Sequence, residues 1–208
     1  FLKDFYYACN QDLTNDKKYI TPCDTEGKTK LQIVSGGPDY EQSVVMQQYL
    51  SFINLAEKSI SVLSPYFIPT FSILEAFKMA ALSGVNVTLL LPKKSDSKVA
   101  SYSMYSYFED LLKAGVHIYL RDDFSHSKVV FIDDEIISVG STNFDCRSFE
   151  HNYELNAILY DEKVTLEVKE EFEERKHKAQ KIEYKEFRKR SIKQKTLERL
   201  SRFFSPLL

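Results

Sequence analysis

The stretch HSKVVFIDDEIISVGSTN, residues 126–143, decides the fold and also contains the residues most suited to chemistry. Its two apolar runs, 128–132 and 136–140, are separated only by Asp133-Asp134-Glu135. A connection this short joins antiparallel strands in a hairpin, because a crossover helix needs a much longer link. The stretch therefore predicts two neighbouring strands of one sheet.

Upstream of this hairpin, apolar strands alternate with helical segments. Strand-like runs cover 31–34, 59–64, 86–91 and 116–120, and helical periodicity covers 41–58, 73–83 and 99–113. Such alternation is typical of parallel strands joined by crossover helices. Downstream, a further strand is expected over 152–160 and a helix over 161–178. The predicted fold class is α/β, with a mixed β-sheet flanked by helices.

Three parts are expected along the chain: a short helix and linker over 1–30, a domain carrying the hairpin over 31–178, and a basic amphipathic helix over 179–208. The net charge is −2, but twelve Lys and Arg face three Glu between Arg175 and Arg202. The tail is thus locally +9 and the remainder is −11, which argues against nucleic acid as a partner. Apolar residues recur at helical spacing in the tail, namely Leu197, Leu200, Phe203, Phe204 and Leu207. This pattern suits either a helix lying on anionic lipid or a helix packed on its own domain.

Composition places the chain among folded proteins, since 43% of its 208 residues are hydrophobic. No apolar run approaches the roughly 20 residues that span a bilayer. The start shows neither a signal peptide nor an initiator methionine, so we expect a soluble piece of a longer protein. Cys9, Cys23 and Cys146 have no paired metal-ligand spacing and suit a reducing, cytoplasmic-type compartment.

His126 and Lys128 form the central chemical unit, because side chains two residues apart on a strand share a face. A neutral imidazole can attack phosphorus or carry a proton, and an ammonium can hold phosphate oxygens. If Asp134-Glu135 forms the turn, Lys128 pairs with Ser141 and His126 pairs with Asn143. Lys128, Ser141 and Asn143 are therefore predicted to bind phosphate.

Two carboxylates are assigned supporting roles. Asp133 lies seven residues from His126, roughly 23 Å along an extended strand, which is too far to orient that imidazole. Asp133 is therefore predicted to support the hairpin turn. Glu154, on the following strand, is predicted to fix the tautomer of His126. No metal or other cofactor is predicted.

The full pattern, His-x-Lys, four residues, Asp, six residues, Gly-Ser-x-Asn, resembles the motif of the phospholipase D superfamily. Ser64–Pro69, 140–154 and the closing Ser205-Pro-Leu-Leu208 resemble the bacterial cardiolipin synthase branch. The resemblance covers the whole chain and is most specific over 125–160. It departs locally at Ser125 and Ser127, where the family more often has Leu and Ala beside the histidine.

This resemblance implies the C-terminal half of an enzyme built from two pseudo-symmetric domains. Family members use one histidine from each of two motifs: one forms a phosphohistidine and the other protonates the leaving alkoxide, without metal. His126, Lys128 and Asp133 match one catalytic motif, with His126 as the acid and base. The other histidines, His117, His151 and His177, lack a Lys two residues later. The second motif is thus expected from an N-terminal half or from a second copy, and the isolated chain is expected to be nearly inactive.

The function implied is phosphatidyl transfer between two phosphatidylglycerol molecules, giving cardiolipin and glycerol at the anionic surface of a bacterial cell membrane. The alternatives are a hydrolytic phospholipase D or a dimeric single-motif nuclease, in which water replaces the alcohol. A non-catalytic lipid-binding module is a third. The segment Pro65–Pro69 follows a strand end, where it either lines an acyl channel or forms a rigid buried loop.

Overall fold

A large mixed sheet organises the computed structural model, which describes residues 2–16, 18–19 and 27–208. The elements in chain order are α1 (Leu2–Cys9), β1 (Lys30–Gly36), α2 (Val44–Leu55), β2 (Ser59–Leu63), β3 (Phe67–Ile68), α3 (Phe71–Leu82), β4 (Asn86–Pro92), α4 (Lys98–Ala114), β5 (His117–Arg121), β6 (Val129–Ile132), β7 (Ile136–Gly140), β8 (Phe144–Asp145), α5 (Cys146–Glu150), β9 (Glu154–Tyr160), α6 (Glu162–His177), β10 (Gln180–Ile182), α7 (Tyr184–Phe187) and α8 (Ile192–Arg202), followed by a 3₁₀ turn at Ser205–Leu207. Cys23 and most of the expected linker lie outside the described residues.

The sheet has the strand order β1-β9-β7-β6-β2-β4-β5-β10. Strands β2, β4 and β5 are parallel and are joined through α3 and α4, whereas the other pairings are antiparallel. The predicted mixed α/β class, with crossover helices followed by a hairpin, is confirmed. A second, parallel pair formed by β3 and β8 was not predicted, since two-residue strands carry no periodic signal.

Apolar side chains are buried on both faces of the sheet. Leu89 and Leu91 pack on the side of α2, α3 and α4, whereas Leu90 packs with Phe172 of α6 on the opposite side. This two-sided burial explains why β4 is a continuous apolar run rather than an alternating one. Each fully buried Leu contributes on the order of 1.5–3 kcal/mol to the folded state.

The hairpin of β6 and β7 differs from the predicted register by one residue. Ile132 pairs with Ile136, and the amide of Gly140 donates to the carbonyl of Lys128 at 3.3 Å. The turn therefore contains three residues, and Asp133 and Asp134 both have positive φ angles, 53° and 63°. A one-residue shift moves a side chain to the opposite face of a strand. The predicted pairs Lys128 with Ser141 and His126 with Asn143 were therefore wrong.

Asp133 fastens the hairpin turn to the start of β2. Its carboxylate accepts hydrogen bonds from the backbone amides of Glu57, Lys58 and Ser59 at 2.8, 2.7 and 2.7 Å. Burial alone would raise the pKa of Asp133, but these three donors outweigh it and hold the pKa below its usual value. Asp133 thus has the supporting role expected from its distance along the strand, and it hydrogen-bonds to neither His126 nor Lys128.

The prediction of one basic helix over 179–208 was wrong. Gln180–Ile182 adds an edge strand to the sheet by pairing with β5, and α7 and α8 follow it against α4. A three-residue strand is too short to show a pattern, and the open edge of β5 supplies its hydrogen bonds. No helix in the described ranges combines the length and apolarity needed to cross a bilayer.

Replacing Asp133 with Asn should lower the free energy of unfolding by about 1–3 kcal/mol at pH 7, because Asn keeps the turn conformation but loses charge-assisted acceptors. A carboxylate with a lowered folded pKa contributes stability above its unfolded pKa, near 4, and loses it as pH falls through the folded pKa. The difference between the two proteins should therefore shrink below pH 4. Urea denaturation across this pH range measures it.

Asp134→Asn is the matched control, since Asp134 also has a positive φ but pairs with Lys169 near the surface. Its loss should be smaller, below about 1 kcal/mol. Equal losses of unfolding free energy for both variants would contradict the role given to Asp133. So would a difference in unfolding free energy between Asp133→Asn and the parent that persists at pH 2.

Candidate active site

His126 and Lys128 meet just before β6 rather than on it. Residues 124–128 form an extended segment between β5 and β6, so the prediction that both residues lie on the strand was wrong. Their side chains nevertheless touch: the Lys128 Nζ lies 2.8 Å from Nδ1 and 3.2 Å from Nε2 of His126. Nζ also donates to the carbonyl of His126 at 2.7 Å. The imidazole is exposed, whereas Lys128 is only 7% exposed.

The ammonium of Lys128 sits in a desolvated position. Burial lowers the pKa of Lys128, and the negative charges of Glu154 and Asp145 partly oppose that shift. Because water screens it less there, a cation in this position attracts an anionic ligand more strongly than a surface lysine does. The arrangement suits a group that holds phosphate oxygens next to an accessible imidazole.

Glu154 does not reach His126. Its carboxylate accepts hydrogen bonds from the hydroxyl of Ser141 and from Nδ2 of Asn152, the latter at 3.4 Å. No hydrogen bond joins Glu154 to His126 in the described residues, and the ring nitrogens of His126 face Lys128. The predicted hydrogen bond between Glu154 and His126 was wrong. Glu154 instead places negative charge near Lys128 and holds Ser141.

Ser141 and Asn143, the other expected phosphate ligands, do not hydrogen-bond to Lys128 in the described chain. The hydroxyl of Ser141 is engaged by Glu154 and also accepts from the amide of Leu155 at 3.0 Å. The Oδ1 atom of Asn143 is buried and has no hydrogen-bond partner among the described atoms. Of Ser141 and Asn143, therefore, Asn143 is the residue that keeps a polar side-chain atom without a hydrogen-bond partner.

A cavity of about 260 Å³ has Asn143 in its wall, together with Tyr66, whose ring faces His126. Asp145 and Asn152 also line it, and burial raises the pKa of Asp145. Asn152 connects the cavity to Glu154 through the hydrogen bond described above. The cavity therefore borders the same polar groups that surround Lys128.

Two aromatic residues flank His126, and sequence reasoning missed this role. The rings of Tyr66 and Phe124 lie 6.4 and 6.1 Å from the imidazole, centroid to centroid. The hydroxyl of Tyr66 donates to Asp96 at 2.7 Å, and burial together with Asp96 raises the pKa of Tyr66 to about 12. Tyr66 follows the end of β2, so its position after a strand was the available signal. It connects His126 to the cavity, which Tyr66 and Asp96 line.

Gly140 is required by a close approach of neighbouring protein atoms. A Cβ atom at Gly140 would overlap Oδ1 of Asn156 and the carbonyl oxygen of Leu155. Asn156 is fully buried and donates to Gln48 of α2 at 3.0 Å. Gly140 therefore lets β9 pack closely enough to bring Glu154 to the site.

A side-chain group away from the histidine brings Cys146, Glu150 and His151 together, with ligand atoms within 4.8 Å of one another. Burial and the neighbouring Glu150 raise the pKa of the Cys146 thiol to about 11. Metal ligation requires a thiolate, which this environment disfavours.

The candidate site lies within a region that matches a known protein family. Residues 49–176 match the family model described as cardiolipin synthase, phospholipase D-like domain. The chain belongs to this family. The matched range contains the hairpin, His126, Lys128 and Glu154, so the site described above lies within the family's domain.

Two relatives show how much of a family member's length this chain covers. The chain is 43% identical over 211 residues to a cardiolipin synthase of Geobacillus thermodenitrificans and 41% identical over 214 residues to one of Clostridium perfringens. It is matched along its whole length but spans only 42% and 45% of those relatives.

Two solved structures share the fold. Nuc from Salmonella typhimurium, a phospholipase D family member, has a TM-score of 0.64 at 21% identity, covering 75% of this chain and 99% of Nuc. Phosphatidylserine synthase from Haemophilus influenzae has a TM-score of 0.66 at 17% identity, covering 86% of this chain and 46% of that enzyme.

Gly140→Ala should destabilise this phospholipase D-like domain by about 1–3 kcal/mol, because the added methyl group forces β9 away from β7. Gly27→Ala is the control, since a Cβ atom there meets nothing within 4 Å, and it should change stability by less than about 0.5 kcal/mol. Urea denaturation of both variants tests the packing. Equal stability of Gly140→Ala and the parent chain would show that β9 is not held as described.

Proposed function

We propose that the chain is the C-terminal catalytic half of a cardiolipin synthase that transfers a phosphatidyl group between two phosphatidylglycerol molecules. The observation that carries the proposal is the contact between the exposed His126 imidazole and the desolvated Lys128 ammonium. Identity of about 40% to bacterial cardiolipin synthases along the whole chain supports the choice of lipid substrate. The enzyme would act at the bacterial cell membrane.

The reaction divides into two balanced steps. In the first, a histidine of the other motif attacks phosphorus of one phosphatidylglycerol, forming a P–N bond while the P–O bond to glycerol breaks. Protonated His126 gives its proton to the departing glycerol oxygen. In the second, His126 takes the proton of a hydroxyl on another phosphatidylglycerol, whose oxygen attacks phosphorus as the P–N bond breaks. The products are cardiolipin and glycerol.

Lys128 and Asn143 are the proposed phosphate ligands. A bound phosphate gives the Lys128 ammonium an anionic partner and thereby frees the ring nitrogens of His126 for proton transfer. Asn143 would donate from Nδ2 to a phosphate oxygen, because its Oδ1 can only accept, and its position in the cavity wall supports this role. Ser141 would join the phosphate only when its hydroxyl leaves Glu154. Asp133 acts on the site only through the position of the hairpin.

The second motif is proposed to come from an N-terminal half. More than half of each matched relative lies outside the region that this chain covers, which leaves room for another such domain. The histidines at 117, 151 and 177 have no lysine two residues later to form that motif within the present sequence. A second copy of this chain is the competing source.

Product analysis tests the proposal. This chain and a separately produced N-terminal half bearing the other His-x-Lys motif are mixed with detergent-dispersed phosphatidylglycerol, and the lipids are identified by mass spectrometry. Cardiolipin and glycerol should appear in equal amounts. His126→Ala should lower the rate by about 10²–10⁴-fold, because it removes the general acid and base.

His177→Ala is the matched control, since His177 is exposed at the end of α6, and its rate should stay within about twofold of the parent. Phosphatidic acid as the main product would indicate a hydrolase instead. DNA cleavage by this chain alone would support the nuclease. An unchanged rate for His126→Ala would exclude the role given to that residue.

A further inference from the structure

Helix α8 is packed with its polar side inward and its apolar side outward. Glu198 and Ser201 are buried, whereas Ile192 and Phe203 are 84% and 81% exposed and Leu200 is also exposed. A helix on the surface of a globular domain normally shows the opposite arrangement. The exposed apolar side of α8 and the following turn is called here the α8 face; its apolar members are Ile192, Leu200, Phe203, Phe204 and Leu207.

Buried polar contacts hold α8 in this orientation. Arg190 bridges Glu198 of α8 and Glu109 of α4, at 2.8 Å to each carboxylate. After the helix, the hydroxyl of Ser205 lies 2.8 Å from Ser103 and accepts from Tyr107 at 3.0 Å. Because these contacts use the polar side of the tail, the apolar side cannot turn inward without breaking them.

Cations flank the α8 face. At 100° per residue, Ile192, Leu200 and Phe203 lie in one stripe, with exposed Lys193 on one side of it and exposed Arg199 on the other. Between Lys185 and Arg202, eight Lys and Arg face two Glu, a local charge of +6. An apolar stripe between cations matches an anionic lipid surface, in which apolar groups enter the acyl region and cations meet phosphates.

The α8 face also continues toward the candidate active site. Next to it lies a groove of about 340 Å³ lined by Ile68, Pro69, Phe71, Leu74 and Pro206, with Arg202 among its lining residues. Leu207 lines the cavity that Asn143 borders, and the backbone of Leu208 accepts a hydrogen bond from Arg147 at 3.2 Å. Apolar residues of the tail thus continue from α8 to the cavity that Asn143 lines.

We propose that the α8 face docks the protein on an anionic phospholipid bilayer, with Ile192 and Phe203 inserted among acyl chains and Lys193 and Arg199 at the phosphates. The choice of a membrane as occupant rests on the flanking cations and on the lipid substrate proposed above. A second copy of this chain is disfavoured, since it would bring two +6 tails together.

Vesicle cosedimentation tests the docking without requiring catalysis, so its outcome is independent of the proposed reaction. The 208-residue chain is mixed with vesicles of phosphatidylglycerol and phosphatidylcholine at 1:1, or of phosphatidylcholine alone. Binding should be strong only to the anionic vesicles and should weaken as salt is raised. Ile192→Ser with Phe203→Ser should lower the partition coefficient by about tenfold or more. Lys193→Glu with Arg199→Glu should lower it by a similar factor.

Two matched controls separate docking from general surface effects. Leu55→Ser with Leu82→Ser removes apolar residues that are 72% and 71% exposed elsewhere, and Lys163→Glu reverses an exposed charge on α6. Both should bind within about twofold of the parent, and circular dichroism should show all variants folded. Unchanged binding of the α8 variants, or no binding of the parent to anionic vesicles, would overturn the proposal. So would sedimentation showing a parent dimer that Ile192→Ser with Phe203→Ser dissociates, because the face would then join two copies.

Discussion

The site depends on the hydrogen bonds that the Asp133 carboxylate accepts from the amides of residues 57–59. These bonds join the β6–β7 turn to the start of β2, and β6 pairs antiparallel with β2 from that end onward. At the other end of β6 the pairing of Leu63 with Val129 fixes the residues that come just before it. Lys128 and His126 therefore emerge beside the carboxyl end of β2, where the loop carrying Tyr66 begins. Asp133 therefore influences the position of the candidate site from the far end of β6, without contacting His126 or Lys128.

Much of the fold could be predicted because buried strands and short turns have recognisable residue patterns. The continuous apolar run of β4 reflects burial on both faces, and the three-residue gap after Ile132 reflects a hairpin. The register could not be predicted, since a two-residue and a three-residue turn both fit Asp133-Asp134-Glu135. The pairing of Ile132 with Ile136 selects the three-residue turn, and tertiary contacts of Asp133 hold that turn in place. Its three hydrogen bonds come from residues more than 70 positions earlier in the chain.

The candidate site, like the fold, could be predicted only in part from the sequence. The two-residue spacing correctly predicted that the side chains of His126 and Lys128 meet, although both residues lie before the strand rather than on it. The partner of Glu154 was not predictable, because it depended on the hairpin register and on the close approach of β9 at Gly140. The aromatic contacts of His126 with Tyr66 and Phe124 join two loops whose residues are far apart in sequence. The tail was misjudged for a related reason: periodicity identified an amphipathic helix but could not show that buried polar contacts turn its apolar side outward.

We propose that His126 and Lys128 form half of a catalytic site that an N-terminal half completes. The most direct measurement is the initial rate of cardiolipin formation as the molar ratio of this chain to that half is varied at constant total concentration. We expect almost no activity for either component alone and a maximum near equal amounts, because each component supplies one motif. A rate that is highest for this chain alone, or that is independent of the ratio, would contradict the proposal.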